Sequence, residues 1–157
     1  MDYRISTITS IANLNSLIDL QKMYDSVHIN DNGKMTYNTL NDTNIIEEII
    51  FIEYGKTKDI SNSKGINPKN AKKNTYKKKE KTSKRFDNQL TIVLKVNNNN
   101  INMKLFKNGR VQMTGLKDIN NGPIAIQFII NLIKNINNDI TNIEKNKLEY
   151  SNYKICL

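Results

Sequence analysis

The sequence predicts an α+β fold, in which one antiparallel sheet of four or five strands packs against two helices. Three observations predict it. Residues 90–96 alternate apolar and polar side chains with the period of a half-buried strand. Residues 101–117 have the pattern of two strands joined by a tight turn, and residues 124–136 carry apolar side chains at helical spacing. A length of 157 residues is typical of one domain.

The N-terminal part of the chain supplies a strand and a helix. Residues 4–13 are rich in Thr and Ile, which favours a strand with Thr7 and Thr9 on one face. Apolar residues from Leu17 onward then recur at helical spacing, and a short helix that ends near Ser26 is expected.

Residues 39–85 contain an apolar run followed by a Lys-rich segment. Residues 45–54 favour either an extra strand or a short helix, and the β-branched and aromatic content of their second half favours a strand from about Ile49 to the residue before Gly55. Residues 56–85 then shift to Lys, Asn and Ser with few apolar side chains. Because they cannot bury enough surface to offset the entropy of ordering, we expect them to be disordered when free.

Residues 101–117 supply the hairpin on which the sheet prediction depends. Asn108-Gly109 lies at its centre, and a two-residue type I′ turn is predicted because Asn and Gly accept positive φ angles. The strands on either side alternate between an apolar face and a polar, basic face. The polar face also carries one aromatic side chain, Phe106, next to the turn.

The helix predicted over residues 124–136 begins after Asn121-Gly122-Pro123, where Pro suits the first helical position. Its apolar stripe is broader than packing on one sheet face requires. An interaction module that docks a partner protein through this helix is therefore one alternative function. An excess of exposed apolar surface on the helix would favour it.

The charge of the chain is concentrated in one segment. The formal net charge is +9 and the sequence pI is about 9.5, which suggests an acidic partner such as nucleic acid. Residues 71–85 hold eight Lys or Arg and one Glu, so they contribute about +7 and leave about +2 for the remainder. This segment is a candidate for non-specific phosphate binding, or else a solvated insert or localisation signal. Its cations are Lys72, Lys73, Lys77, Lys78, Lys79, Lys81, Lys84 and Arg85.

Several classes of protein are not expected. A single cysteine, Cys156, and a single histidine, His28, provide neither a disulfide framework nor a zinc-ligand set. No catalytic constellation is in view, so we expect neither an enzyme nor a cofactor. The sequence has no apolar run of membrane-spanning length and no signal-peptide pattern, so an intracellular protein is expected.

Residues 106–117, Phe-Lys-Asn-Gly-Arg-Val-Gln-Met-Thr-Gly-Leu-Lys, carry a resemblance. They are similar to the Phe-x-Ser-Gly-Lys-Met-Val-x-Thr-Gly-Ala-Lys segment of a TATA-box-binding protein repeat. Residues 8–14 and 18–20 resemble the first strand of that repeat and the Leu-Asp-Leu that opens its first helix. The Lys-rich insertion is more like the divergent homologues of large DNA viruses than the cellular proteins.

The resemblance implies a fold and a function. The fold would be a half-saddle, with a curved sheet, a concave face on the DNA minor groove and two helices on the convex face. The function would be that of a transcription initiation factor that binds double-stranded DNA. Transcription-initiation proteins or RNA polymerase would dock on the convex helices, and the protein would act in the nucleus, a viral factory or the virion.

The resemblance also assigns roles to residues on the polar face. Phe106 matches the phenylalanine that wedges between base steps, although strand parity alone equally permits a core or edge aromatic. Thr114 matches a groove-facing threonine, although a solvent-facing strand threonine is as ordinary. Residues expected to share its face are Thr7, Thr9, Thr91 and Gln112. Residues expected to meet phosphates are Lys95, Lys104, Arg110 and Lys117.

The second wedge of the family has two candidates here. Phe86 ends a Lys-Arg-Phe like that of the family, but three additional residues separate it from the next strand. If that strand aligns without a gap, Gln89 takes the place of the phenylalanine and there is no second wedge.

The sequence also departs from the family on the groove-facing strands. Thr7, Thr9, Lys104 and Gln112 make the face more polar, which puts TATA specificity in doubt because the minor groove is read largely by apolar fit and acceptor contacts. Binding to the DNA backbone is expected to survive these changes.

The domain organisation follows from the same comparison. Residues 1–140 correspond to one repeat, interrupted by the 39–85 insertion, and residues 141–157 to a linker and the start of a second, missing repeat. Three explanations stay open: a homodimer that rebuilds the saddle, a truncated protein, or a half-repeat with a different use.

Overall fold

The computed structural model describes residues 8–29, 47–56, 61–66 and 88–156. These residues form one seven-stranded sheet in the order β3-β2-β4-β5-β6-β1-β7, with every neighbouring pair antiparallel. The strands are β1 (Ile8–Leu14), β2 (Glu47–Lys56), β3 (Ser61–Gly65), β4 (Gln89–Val96), β5 (Asn99–Phe106), β6 (Arg110–Leu116) and β7 (Tyr150–Cys156). Within these ranges the helices are α1 (Leu20–Ser26) and α2 (Asn121–Asn135), and Lys145–Lys147 form a turn of 3-10 helix.

The α+β prediction is confirmed, whereas the predicted number of strands is too low. The insertion contributes two strands to the sheet edge beside β4, and β7 adds a third beyond β1. The strand expected from Ile49 is part of β2, which already begins at Glu47. Residues 61–65, for which disorder was expected, instead form β3; residues 57–60 and 67–87 lie outside the described residues.

The hydrophobic core lies between one face of the sheet and the two helices. Alternate residues of the strands point into it, as the period-two patterning predicts. All of the largest fully buried side chains belong to this layer: Leu20, Met23, Ile49, Ile52, Leu90, Ile92, Leu94, Ile101, Met103, Leu105, Met113 and Leu116. Helix α2 adds Ala125, Ile126, Ile129, Ile130, Leu132 and Ile133.

The opposite face of the sheet carries neither helix, and we call it the open face. It is defined by the residues between the core positions, which the pairing register places side by side across the strands. From β4 to β7 in sheet order these are Gln89, Thr91, Val93, Lys95, Asn100, Asn102, Lys104, Phe106, Arg110, Gln112, Thr114, Thr9, Ile11, Asn13, Ser151, Lys154 and Cys156.

The turn between β5 and β6 differs from the predicted type I′ turn. Three residues, 107–109, connect the strands, and the backbone N–H of Gly109 donates to the carbonyl of Phe106 at 2.9 Å. Only Gly109 has a positive φ, of +92°, so the loop is a three-residue hairpin with a left-handed glycine at its end. The Asn108 side chain is used instead to accept from the backbone N–H of Arg110 at 3.0 Å.

The loop is also fixed by the segment that follows β1. The backbone N–H of Leu14 donates to the carbonyl of Gly109 at 2.8 Å, and that of Ile18 to the carbonyl of Lys107 at 2.9 Å. A Cβ atom on Gly109 would lie 2.6 Å from the carbonyl oxygen of Ser16. Backbone contact therefore holds the hairpin tip, and with it the end of β5, against the body of the fold.

Lys64 of β3 ties the inserted hairpin to α1. Its Nζ donates to the carbonyl of Tyr24 at 2.6 Å and to that of Val27 at 2.8 Å, and lies 4.2 Å from the centre of the Tyr24 ring. Burial lowers the pKa of Lys64, an effect that Asp25 partly opposes. The ammonium is a second partner for the Tyr24 carbonyl, which also accepts from the backbone N–H of Val27 at 3.4 Å, and it serves the carbonyl of Val27, the C-cap residue of α1.

Strand β7 contacts both the neighbouring strand β1 and helix α2. It pairs with β1, and the ring of Tyr153 packs so close to Gly122 of α2 that a Cβ there would lie 2.1 Å from the phenolic oxygen. Asn15 adds a link just before the strand, since its Oδ1 accepts from the backbone N–H of Glu149 at 2.9 Å. Residues 150–156, in the segment expected to hold a linker and the start of a second repeat, thus form a strand of the main sheet.

Candidate nucleic-acid interface

Phe106 is a half-buried aromatic at the end of β5 on the open face. It does not belong to the hydrophobic core, because its neighbour Leu105 takes the core position and is fully buried. The register of β4 and β5 places Gln89 directly opposite Phe106. The position across from the candidate wedge is therefore an amide, and Phe86 lies outside the described residues.

A second row of polar side chains crosses the sheet beside that pair. Thr91 pairs with Lys104, Lys104 with Gln112, and Gln112 with Ile11. The three polar members are half-buried and face away from the core. Because directly opposite residues of antiparallel strands have neighbouring side chains, these positions form one continuous surface.

Thr114 is exposed and pairs with Asn102 in the next row. A bulge follows it at Gly115, where φ is +86° and the register to β1 shifts. The buried side chain of Asn99 supports this region. Its Nδ2 donates to the carbonyl of Gly115 at 2.9 Å, and its Oδ1 accepts from the backbone N–H of Lys117 at 2.9 Å.

Arg110 and Lys117 lie at the two ends of β6, and both side chains are exposed. Arg110 pairs with Asn13 of β1 beside the Gly109 loop, whereas Lys117 follows the strand near the start of α2. The predicted cations are therefore spread along the face. Lys95 lies in a third place, near the opposite end of β4 from Gln89.

The electrostatic character of the open face changes between its two ends. Strands β4, β5, β6, β1 and β7 contain no Asp or Glu, so their Lys and Arg side chains have no acidic neighbour on the same strands. Strand β2 at the other end contains three Glu residues, of which Glu53 lies opposite Thr91. An anion is favoured on the β5–β7 side of the face and disfavoured near β2.

The β2 side of this face is also the less accessible side. Phe51 and Val93 lie opposite each other there and are 7% and 4% exposed, although neither belongs to the hydrophobic core. The accessible, acid-free area therefore runs from β5 to β7.

Other predicted contact residues lie outside the described part of the chain. These are Thr7 of the first strand and the whole Lys-rich set of residues 72–85. Thr9 is described and is half-buried opposite Cys156 of β7. Their assignments stay predictions.

Asn102 was expected on the polar face of the hairpin, but sequence patterning gave no role to other polar open-face residues, among them Asn13 and Lys154. Asn13 is exposed opposite Arg110, which only the strand register reveals. Lys154 lies opposite Ile11 and continues the row that begins at Thr91. No local signal in the sequence showed which strand β7 would pair with.

Helix α2 lacks the exposed apolar surface that would favour a docking module. Its exposed positions include Gln127, Asn131 and Asn135, and the Gln127 amide donates to the Asn131 side chain at 3.0 Å. Its remaining large apolar side chains are buried, apart from the half-buried Ile124 and Phe128, which pack against the core. The broad apolar stripe of α2 is therefore buried by packing within the described part of the fold.

Over the described ranges, no three or more His, Cys, Asp and Glu side chains are grouped so that they could hold a metal ion. None of the described helices is long and apolar enough to cross a membrane.

Comparison with known proteins adds one relative. A curated protein of Acanthamoeba polyphaga mimivirus named TATA-box-binding protein-like is 30% identical to this chain over 136 residues. The matched region covers 84% of this chain but only 31% of the mimivirus protein. No protein-family profile matches the chain, and no solved structure matches it significantly. The resemblance to a TATA-box-binding protein-like protein of a large DNA virus is thereby confirmed.

Proposed function

We propose that this chain binds double-stranded DNA through the open face of β4, β5, β6 and β1, as a TATA-box-binding protein-like factor in transcription initiation. The observation that carries the proposal is the position of Phe106. It is an aromatic outside the core, on an accessible face whose strands lack acidic residues and carry Lys104 and Arg110. The relationship to the mimivirus protein supports the same assignment.

The mechanism begins with the aromatic ring. Proteins that bind the minor groove insert apolar side chains between base steps, which unstacks the step and bends the duplex. Phe106 is suited to this because backbone hydrogen bonds hold the adjacent loop to Leu14 and Ile18. A ring held by a rigid loop loses little conformational entropy when it binds.

The polar row beside Phe106 would then lie against the minor groove and the sugar-phosphate backbones that border it. Lys104 and Arg110 neutralise phosphates, while Gln112 and Thr114 offer hydrogen bonds to base edges or sugars. Gln89 replaces an aromatic partner, so the kink depends on one ring. We expect the preference for A·T-rich sequence to be weaker than a wholly apolar face would give.

The setting proposed for this activity is viral transcription in a nucleus, a viral factory or a virion. Transcription-initiation proteins or RNA polymerase would dock on the helix side of the sheet, where α2 offers an amide-rich surface. A homodimer that joins two such faces is one way to cover a longer DNA site. Curvature of the sheet into a half-saddle is part of the same proposal.

The test is equilibrium binding and bending of a TATA-containing duplex and a scrambled duplex across a salt series. We compare the wild type with Phe106→Ala, which we expect to lose about tenfold to a hundredfold in affinity and most of the bend, as a stacking contact worth about 1–3 kcal/mol implies. Leu17→Ala is the matched control, because Leu17 is also an apolar side chain, is 56% exposed and lies outside the sheet. It should bind and bend DNA like the wild type.

Deletion of residues 72–85 separates this proposal from general binding through the Lys-rich segment. If the open face binds, the deletion lowers the salt dependence while leaving the effect of Phe106→Ala in place. If the deletion abolishes binding and Phe106→Ala changes nothing, the protein is a general nucleic-acid binder and the proposal is wrong.

A further inference from the structure

Strand β7 extends the accessible part of the open face by one strand beyond β1. It pairs with β1 over most of its length, with Lys154 opposite Ile11 and Ser151 opposite Asn13. The side chains of Tyr150 and Tyr153 turn toward the core, whereas that of Lys154 is exposed on the open side. A bulge at Asn152, where φ is +55°, accounts for two tyrosines three residues apart sharing one face.

Lys154 therefore ends a row that crosses five strands. The row runs from Thr91 through Lys104, Gln112 and Ile11 to Lys154. Three strand spacings separate its two lysines, and at about 4.8 Å each they put the two Cα atoms about 14 Å apart. Successive phosphates of one DNA strand are about 3.4 Å apart along the helix axis, so the two lysines meet different phosphates.

We propose that β7 belongs to the DNA-binding face and that Lys154 contacts a phosphate, in addition to the one contacted by Lys104. The inference rests on the proposed function, since it takes duplex DNA as the partner. It assigns a role to a strand that neither the hairpin motif nor the Lys-rich segment contains. Duplex DNA is chosen as the occupant because the row has two cations, no anion and a length of several phosphate spacings.

The charges around Lys154 favour that contact. The residues nearest to it by register are Ile11 and, one pair further along, Thr9 and Asn13, none of which is acidic. The phenol of Tyr153 is directed to the other side, toward Gly122. The ammonium therefore has no carboxylate on β1 or β7 to neutralise it before DNA binds.

The test is the salt dependence of duplex binding for Lys104→Gln, Lys154→Gln and the double variant. Each lost phosphate contact lowers the slope of log K against log salt by about 0.9. Between 50 and 200 mM salt, the affinity of each single variant should therefore fall by a factor that is about 3.5 times smaller than the fall in wild-type affinity. The double variant should lower the slope by about 1.8, because sites this far apart act independently. Lys22→Gln, at an exposed position of helix α1, is the matched control and should leave the slope unchanged.

The outcomes separate this inference from the proposed function. If Lys104→Gln lowers the slope while Lys154→Gln behaves like Lys22→Gln, β7 is outside the interface and only the inference is wrong. A double variant no weaker than either single one would also overturn it, since both lysines would then serve one phosphate. If neither single variant differs from Lys22→Gln, the open face does not bind DNA and the proposed function falls with it.

Discussion

The two faces of the sheet use the same strands for different purposes, and β5 shows this most clearly. Met103 and Lys104 are adjacent in sequence, yet the first is fully buried beneath the helices and the second lies half-buried on the open face. The alternation of a strand therefore lets one segment stabilise the fold and present a binding surface independently. The helix-covered face should be sensitive to loss of volume, and the open face to loss of charge or of the aromatic ring.

The largest effect is expected from a substitution on the buried face. Met103→Ala removes a fully buried side chain and should lower the free energy of unfolding by about 3 kcal/mol, through lost burial and a cavity. Lys104→Ala, one residue away, should change it by less than about 0.5 kcal/mol. Chemical denaturation of both variants measures the difference. Equal losses would mean that the two faces do not divide their roles in this way.

The next effect concerns the loop that positions Phe106. Gly109→Ala places a side chain at a φ of +92° and brings its Cβ 2.6 Å from the Ser16 carbonyl, so a loss of more than about 2 kcal/mol is expected. Gly115→Ala has a similar φ, but its nearest contact is 3.2 Å, and about 1 kcal/mol is expected. Thermal unfolding ranks the two. A harmless Gly109→Ala would show that the loop is not held by this contact.

A smaller effect is expected at the β2–β3 end of the sheet. Lys64→Met keeps the apolar stem but removes the ammonium that serves the carbonyls of Tyr24 and Val27, at a cost of about 1–2 kcal/mol. Hydrogen exchange should quicken in β3 and at the end of α1. DNA binding should stay unchanged, because this end is not part of the accessible basic surface. A loss of DNA affinity in the folded variant would extend the interface to the inserted hairpin.

The smallest effect on stability is expected at position 89 of the open face. Gln89→Phe places a second ring opposite Phe106, and such a cross-strand aromatic pair is worth about 0.5–1 kcal/mol of stability. If Phe106 acts as a wedge, the variant should also bend the duplex more. Gln89→Leu is the control that adds apolar area without a ring. A variant with no change in bending would place position 89 outside the contact.

Local patterning predicted some elements correctly because period and turn chemistry act over a few residues. The alternation in 90–96 and 101–106 identified β4 and β5, and the apolar spacing in 124–136 identified α2. The turn type was wrong because the docking of Gly109 onto the segment after Leu14 is a long-range contact. Nothing near Asn108-Gly109 in the sequence reports it.

Two other features required the pairing register. The polar strand β3 is held by backbone pairing to β2 and by Lys64, so its sequence, Ser-Asn-Ser-Lys-Gly, lacks the β-branched pattern of a strand. The choice between Phe86 and Gln89 likewise had no local answer. The register places Gln89 opposite Phe106, whereas Phe86 lies outside the described residues.

The most direct test of the DNA-binding assignment is an NMR titration of the labelled protein with a short duplex. Gln112 on the open face and Gln127 on the exposed side of α2 form a matched pair of side-chain amides on opposite sides of the molecule. We predict that the NMR signals of the Gln112 amide and of the β5 and β6 backbone shift on DNA binding, while those of the Gln127 amide do not. Shifts at Gln127 with an unperturbed Gln112 would contradict it and move the binding surface to the helices.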